Sequence, residues 1–128
     1  MFNDSEAFSS FAVPDIEAAK QFYGETLGLE VTEEEMGVLG IKLGSGASLM
    51  AYPKEDHQPA VFTILNFPVD DIDAAVDALT EKGVEFERYE GFVEQDEKGI
   101  ARAGGDGEGP DIAWFTDPAG NILAVLSG

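Results

Sequence analysis

Residues Phe11–Ala19 read FAVPDIEAA, and residues Phe67–Ala75 read FPVDDIDAA. Six of these nine positions are identical: Phe11/Phe67, Val13/Val69, Asp15/Asp71, Ile16/Ile72, Ala18/Ala74 and Ala19/Ala75. The match runs on, because LGLEV at 27–31 answers KGVEF at 82–86 once a single-residue gap is allowed. The chain of 128 residues is therefore an internal duplication.

Each copy opens with an alternating run, FSSFAV or TILNFPV, rich in the aromatic and β-branched residues that favour a strand. Asp15 and Asp71 then stand where a helix N-cap belongs, their carboxylates able to accept from free backbone N–H groups one turn in. Helical periodicity follows, with Ile16, Ala19, Tyr23 and Leu27 on one face of the first copy and Ile72, Ala75, Val76 and Leu79 on one face of the second. Tyr23 is expected in the core with its hydroxyl at the rim. Gly28 and Gly83 are the expected helix stops.

Short strand-like runs come next. The first half offers LEVTEE, GVLGIKL and ASLMAY, with GSG as a hairpin; the second offers VEFERYE, DIAWFT and ILAVLS, the last two joined by DPAGN. Both halves read βαβββ, an α+β pattern. The expected boundaries are 7–52 for the first module, 53–59 (PKEDHQP) for a linker and 60–128 for the second, all within a single domain spanning 1–128. Between Gly91 and Pro110 the second half carries GFVEQDEKGIARAGGDGEGP, too rich in glycine and acid for a regular element throughout, with a short strand expected around Ile100–Arg102. A long loop of this kind is either a plain connection or a lid over a pocket.

Composition excludes several functions. No cysteine is present, so disulfides, thiolate metal sites and cysteine nucleophiles are out, and a single histidine, His57, rules out any mechanism needing two imidazoles in one chain. The formal net charge of −19 repels nucleic acid and anionic membranes, since binding there depends on Lys and Arg neutralising phosphates. That charge suits a solvated, salt-adapted surface or a cationic ligand. No apolar run approaches the length of a membrane span and the first residues lack the pattern of a signal peptide, so the expected location is the cytoplasm. Nucleophile elbow, phosphate loop and dinucleotide fingerprint are all missing, and the glycines of AGGDGEGP do not open a helix after a strand.

Paired βαβββ halves, the run V-x-D-I-x-A-A-x-x-F-Y from Val13 to Tyr23 and the closing WFTDPAGNIL from Trp114 to Leu123 together resemble the vicinal oxygen chelate superfamily, which includes glyoxalase I, extradiol dioxygenases, fosfomycin-resistance enzymes and bleomycin-resistance proteins. The resemblance implies two modules forming a cupped, incomplete mixed β-barrel, usually in a homodimer. Metalloenzymes of that superfamily place a His, Gln or Glu near the start of each module's first strand and an acidic residue in each module's last strand. The matching positions here are Phe8, Met50, Ile64 and Ala124. A hard or borderline divalent ion needs nitrogen or oxygen donors, and Met50 offers only a thioether.

The resemblance thus implies a member without the usual metal ligands and with no cofactor. Strand side chains alternate, so Phe8, Ser10 and Ala12 share the face opposite Phe11 and Val13, as do Ile64, Asn66 and Pro68 opposite Phe67 and Val69. Adding the closing strands gives an expected ligand-binding set of Phe8, Ser10, Met50, Tyr52, Ile64, Asn66, Trp114 and Ala124, with Ile122 beside them. This mostly apolar lining with a few polar groups suits a small molecule, and Trp114 and Tyr52 suit a planar or cationic one. No catalytic residue is assigned. The expected function is metal-independent binding of a small, aromatic or cationic compound. The alternative is a metal-dependent lyase, isomerase or dioxygenase using atypical ligands, for which Glu90, Asp96 and His57 are the candidates. Otherwise His57 reads as a surface residue of the polar linker, and Glu90, Glu94, Asp96 and Glu97 as solvated charge.

Overall fold

The computed structural model describes residues 1–89, 91, 93–102 and 109–128. The chain divides into two compact units, Met1–Gln58 and Pro59–Gly128.

The first unit holds β1 (Ser9–Val13), α1 (Ile16–Gln21), β2 (Glu30–Glu33), β3 (Leu39–Lys42) and β4 (Ser48–Pro53). Its sheet runs β1-β4-β3-β2, with β1 parallel to β4 and the other pairs antiparallel. The GSG turn closes β3 onto β4, and Leu43 donates to the Ala47 carbonyl at 2.9 Å. In the second unit, β5 (Thr63–Pro68), α2 (Ile72–Glu81), β6 (Asp111–Thr116) and β7 (Ile122–Ser127) form a sheet ordered β5-β7-β6. Here β5 is parallel to β7, and β6 is antiparallel to β7. The first strand of each copy thus pairs in parallel with the last, which is the α+β pattern of the duplicated motif.

The two N-caps are near copies of each other. Asp15 (φ −129°, ψ 104°) accepts from the N–H groups of Glu17 and Ala18, and Asp71 (φ −129°, ψ 100°) accepts from that of Ala74 at 3.1 Å. The helices end differently. In the second copy Gly83, at φ 92°, lets Val84 donate back to the Leu79 carbonyl, the usual left-handed stop. In the first copy Gly28, at φ 73°, does the same for Leu29, but the acceptor is Tyr23, one residue further back. The extra residue is absorbed by a π-helical turn over Phe22–Thr26, where Leu27 donates to the Phe22 carbonyl. That turn is the physical form of the single-residue gap between the repeats. It turns Tyr23 wholly into the core against Phe11, with ring centroids 5.5 Å apart, so the hydroxyl does not reach a rim.

The core of the first unit is Phe11, Val13, Ala19, Tyr23, Leu39, Ile41, Leu49 and Ala51; that of the second includes Ile72, Val76, Val84, Ile100, Ala113, Phe115, Leu123 and Val125. Burying the Val, Leu, Ile and Phe side chains among these supplies about 1.5–3 kcal/mol each, the main force holding each sheet to its helix. The DPAGN hairpin is also built from the inside. Asp117 and Asn121 are both buried; Asp117 Oδ1 accepts from the N–H groups of Ala119 and Asn121 at 2.9 Å, and Asn121 Nδ2 donates to Asp117 Oδ2 at 3.0 Å.

VEFERYE differs from its reading as a fourth strand. It contributes a single bridge, Phe86 to Phe115, and one further bond from the Glu87 N–H to the Trp114 carbonyl at 2.7 Å. Its next ladder groups are taken by its own loop. Gln95 accepts from the Tyr89 N–H and donates to the Glu87 carbonyl, and Arg88 donates to the carbonyls of Asp96 and Glu97. The short strand expected around Ile100–Arg102 is present as one bridge, Ala101 to Ile112.

Candidate functional site

Period-two alternation divides each sheet into a packed face and an open one. In the first unit the packed face carries Phe11, Val13, Leu49 and Ala51. The open face carries Ser10 in register with Met50, and Ala12 in register with Tyr52. Gly40 continues the first of these rows across β3. Phe8 lies just before β1 and Tyr52 near the end of β4, and both keep substantial exposed surface.

In the second unit the equivalent row is Asn66, Ala124 and Trp114 across β5, β7 and β6. Asn66 is exposed, Trp114 half-buried and Ala124 fully buried. Ile64 falls where the β5–β7 register shifts between Thr63 and Leu65. The registers thus put Ser10, Met50 and Tyr52 on one face of the first sheet and Asn66, Ala124 and Trp114 on one face of the second, while Phe8 and Ile64 lie outside these paired rows. Met50 opposite Ser10 and Ala124 opposite Asn66 are the same place in the two copies.

The superfamily's metal positions can now be tested on their donors. Phe8, Ile64 and Ala124 have no donor atom, and Met50 presents a soft sulfur; this set does not fit a hard or borderline divalent cation. Among the described residues no group of three or more His, Asp or Glu side chains is placed to hold a metal ion. Asp96, a candidate for an atypical site, is occupied otherwise: its Oδ1 accepts from the N–H groups of Lys98 and Ile100, and its Oδ2 from Arg102. It is a loop-organising residue rather than solvated charge. Glu94 and Glu97 are exposed, His57 is half-buried, and Glu90 lies outside the described residues. Most of AGGDGEGP falls on residues 103–108, which also lie outside them, so the lid reading of Gly91–Pro110 rests in part on residues that are not described.

One residue escaped the sequence reading. The Tyr89 ring stands 5.3 Å from that of Trp114 at 72°, an edge-to-face pair beside the open row of the second sheet. Burial, and then the Glu87 carboxylate, push its phenol above the ordinary 10.0, so the hydroxyl stays neutral. The signal lay in VEFERYE: once Phe86 bridges Phe115 on the packed side, alternation gives Glu87 and Tyr89 to the opposite side.

The loop that carries Tyr89 is tied to α2. Arg102 donates to both oxygens of Asp73, at 3.0 and 2.8 Å, and Lys98 lies within 3.3 Å of Asp73 and 3.0 Å of Asp77. The Arg102 guanidinium, with help from Lys98, holds Asp73 down to about 2. Two clefts of the first unit, of about 710 and 750 Å³, border α1 at Asp15 and Glu17 and contain none of the predicted binding residues. No helix among the described residues is long and apolar enough to cross a membrane.

These features define a duplicated α+β protein in which the predicted binding residues that lie in register, Ser10, Met50 and Tyr52 in one sheet and Asn66, Trp114 and Ala124 in the other, are apolar or neutral polar. The chain belongs to the Glyoxalase/Bleomycin resistance protein/Dioxygenase superfamily, whose model matches residues 8–125. Among solved structures it resembles a glyoxalase family protein from Bacillus anthracis at 23% identity and a TM-score of 0.71, covering 94% of this chain and 92% of that one. It also resembles an antibiotic-binding protein from Streptomyces sp. CB03234 (25% identity, TM-score 0.67, 94% and 92% covered). A fosfomycin resistance protein from Listeria monocytogenes matches at 14% identity and a TM-score of 0.71, with 95% and 91% covered. No curated protein matches.

Proposed function

We propose that this protein binds small organic molecules without a metal ion on its open sheet faces, the residues concerned being Phe8, Ser10, Met50 and Tyr52 in the first unit and Ile64, Asn66, Trp114 and Ala124 in the second. The observation that carries this reading is the chemistry of the open faces. Positions that need imidazole or carboxylate for metal catalysis hold Phe8, Met50, Ile64 and Ala124, while aromatic rings and the neutral Ser10 and Asn66 remain beside them. Apolar walls with a few hydrogen-bonding groups suit binding by burial and orientation.

The net charge of −19 favours a cationic compound, because the protein's field concentrates cations at its surface. Similarity to an antibiotic-binding protein supports sequestration as the task. We propose a homodimer in the cytoplasm as the working form, checked by light scattering after size exclusion.

Trp114 is the only tryptophan, so its emission reports directly on the second face. Titration with planar and cationic compounds is expected to shift or quench that emission with a saturable curve, in protein holding less than about a tenth of an equivalent of metal by elemental analysis. Near one tightly held equivalent of zinc, manganese, nickel or iron would overturn the metal-free reading.

A further inference from the structure

We propose that Tyr89 is a ligand-contacting, specificity-determining residue of the second unit's open face, that Gln95 is the residue positioning it, and that the ligand selected is a planar aromatic ring system. The inference rests on the reading that this face binds a small organic molecule.

The edge of β6 is where the argument starts. Among the described residues no further regular strand lies beyond Trp114; the segment Phe86–Tyr89 runs there, fastened by the Phe86–Phe115 bridge and the Glu87 N–H on the Trp114 carbonyl. Two residues past Glu87, the Tyr89 ring meets Trp114 at 72°. Two rings near a right angle make a corner. A planar guest stacked in offset on one ring presents its edge to the other, the packing aromatic quadrupoles favour, whereas a guest without a ring gains only contact area.

Tyr89 is held in this corner by an unusually complete fixture. The Gln95 side-chain oxygen accepts from the Tyr89 N–H at 2.7 Å, and its nitrogen donates to the carbonyls of Glu87 and Gly99, each at 2.8 Å. One amide therefore grips the backbone at Tyr89 and two residues before it, fixing the point from which the ring projects. Gly99 makes the grip possible: at φ 89° it adopts a left-handed backbone, and a Cβ there would stand 3.1 Å from the Cβ of Phe86. The bonds of Arg102 to Asp73 and Asp96 then tie the same loop to α2. A loop that merely joined two elements would need none of this at Tyr89.

The experiment uses the full chain with two cationic probes, planar proflavine followed by fluorescence anisotropy and ringless tetraethylammonium followed by calorimetry. Both carry positive charge, so the acidic surface favours both, and their ratio isolates the ring. The expected result is that proflavine binds the wild type at least about tenfold tighter. Tyr89→Ala should weaken proflavine about fivefold, the range of one aromatic pair, with tetraethylammonium unchanged. Tyr89→Phe should stay within about twofold of wild type on this scale.

Gln95→Met should lower the proflavine-to-tetraethylammonium ratio as Tyr89→Ala does, a change that general loosening would not make selective. Tyr89→Ala removes no backbone bond, so it decides the matter if Gln95→Met does not fold. If Trp114→Ala weakens proflavine while Tyr89→Ala binds it as wild type does, the face stands as a site and the assignment of Tyr89 is overturned. If the wild type binds neither probe, or Trp114→Ala changes nothing, the reading of the face falls and the inference with it.

Discussion

Replacing Asp117 should unfold the protein more readily than any other single change in the DPAGN hairpin. Asp117 is only 4% exposed and Asn121 only 2%, so neither has water to fall back on. In Asp117→Ala the N–H groups of Ala119 and Asn121 and the side-chain amide of Asn121 lose the acceptors they now reach at 2.9, 2.9 and 3.0 Å. An unsatisfied buried donor costs about 1–3 kcal/mol, and bonds to a charged acceptor sit toward the upper end. Neighbouring bonds in one network do not add in full, so the expected loss is about 3–5 kcal/mol, a large part of a domain's usual 5–15. Asp117→Asn keeps an oxygen for the two backbone donors, and the Asn121 amide can turn its own oxygen toward the new nitrogen; about 1 kcal/mol is expected. Guanidinium unfolding followed by Trp114 emission, with far-ultraviolet circular dichroism as a second probe, measures both. A loss below about 1 kcal/mol for Asp117→Ala, or equal losses for the two variants, would refute the account of the turn as held by a buried carboxylate.

Three further outcomes are expected. Arg102 holds Asp73 at about 2 against an ordinary 3.8, so the stabilisation is complete above the ordinary value and is lost as pH falls from there toward 2; the melting temperature of wild type should drop through this window, and Asp73→Asn should remove that part of the drop. With 26 acidic residues against 7 basic ones, self-repulsion outweighs the few ion pairs that salt also screens, so melting should rise from about 10 mM to 1 M KCl, and a fall would reverse the balance argued here. Gly83→Ala, forced to φ 92° with open space around it, should cost about 1 kcal/mol of backbone strain and nothing in packing, read from the urea midpoint.

How much of this could be read in advance follows from the range of the interactions involved. Asp15 and Asp71 cap helices through bonds to residues two or three away, so the nine-residue motifs sufficed to place both starts, and Gly28 and Gly83 mark the stops locally. DIAWFT and ILAVLS became β6 and β7 at the boundaries read from their alternation, because DPAGN fixes their register from within five residues. Tyr23, by contrast, was misjudged at its hydroxyl. Its depth depends on the π-helical turn, which arises from a one-residue length difference that composition does not advertise. VEFERYE has the alternation of a strand and failed as one because Gln95, six to eight residues away, takes the Tyr89 N–H and the Glu87 carbonyl that a ladder would have used. The same long-range bonds hide Tyr89 from any reading of Trp114 that stops at β6.

The residues by which this chain is recognisable are therefore not those proposed to set its chemistry. Asp15, Asp71, Asp117 and Asn121 spend their polar atoms on caps and a buried turn, so selection for the fold alone accounts for them. The open rows obey a different constraint. Ser10 with Met50, and Asn66 with Ala124, occupy equivalent registers in the two copies, where the pleat requires only that a side chain point away from the helix. Such positions can exchange a metal ligand for methionine or alanine without disturbing a single ladder bond. That freedom lets one duplicated scaffold change the side chains of its open rows while its ladders stay as they are, and the bare binding face proposed for this protein is one such outcome.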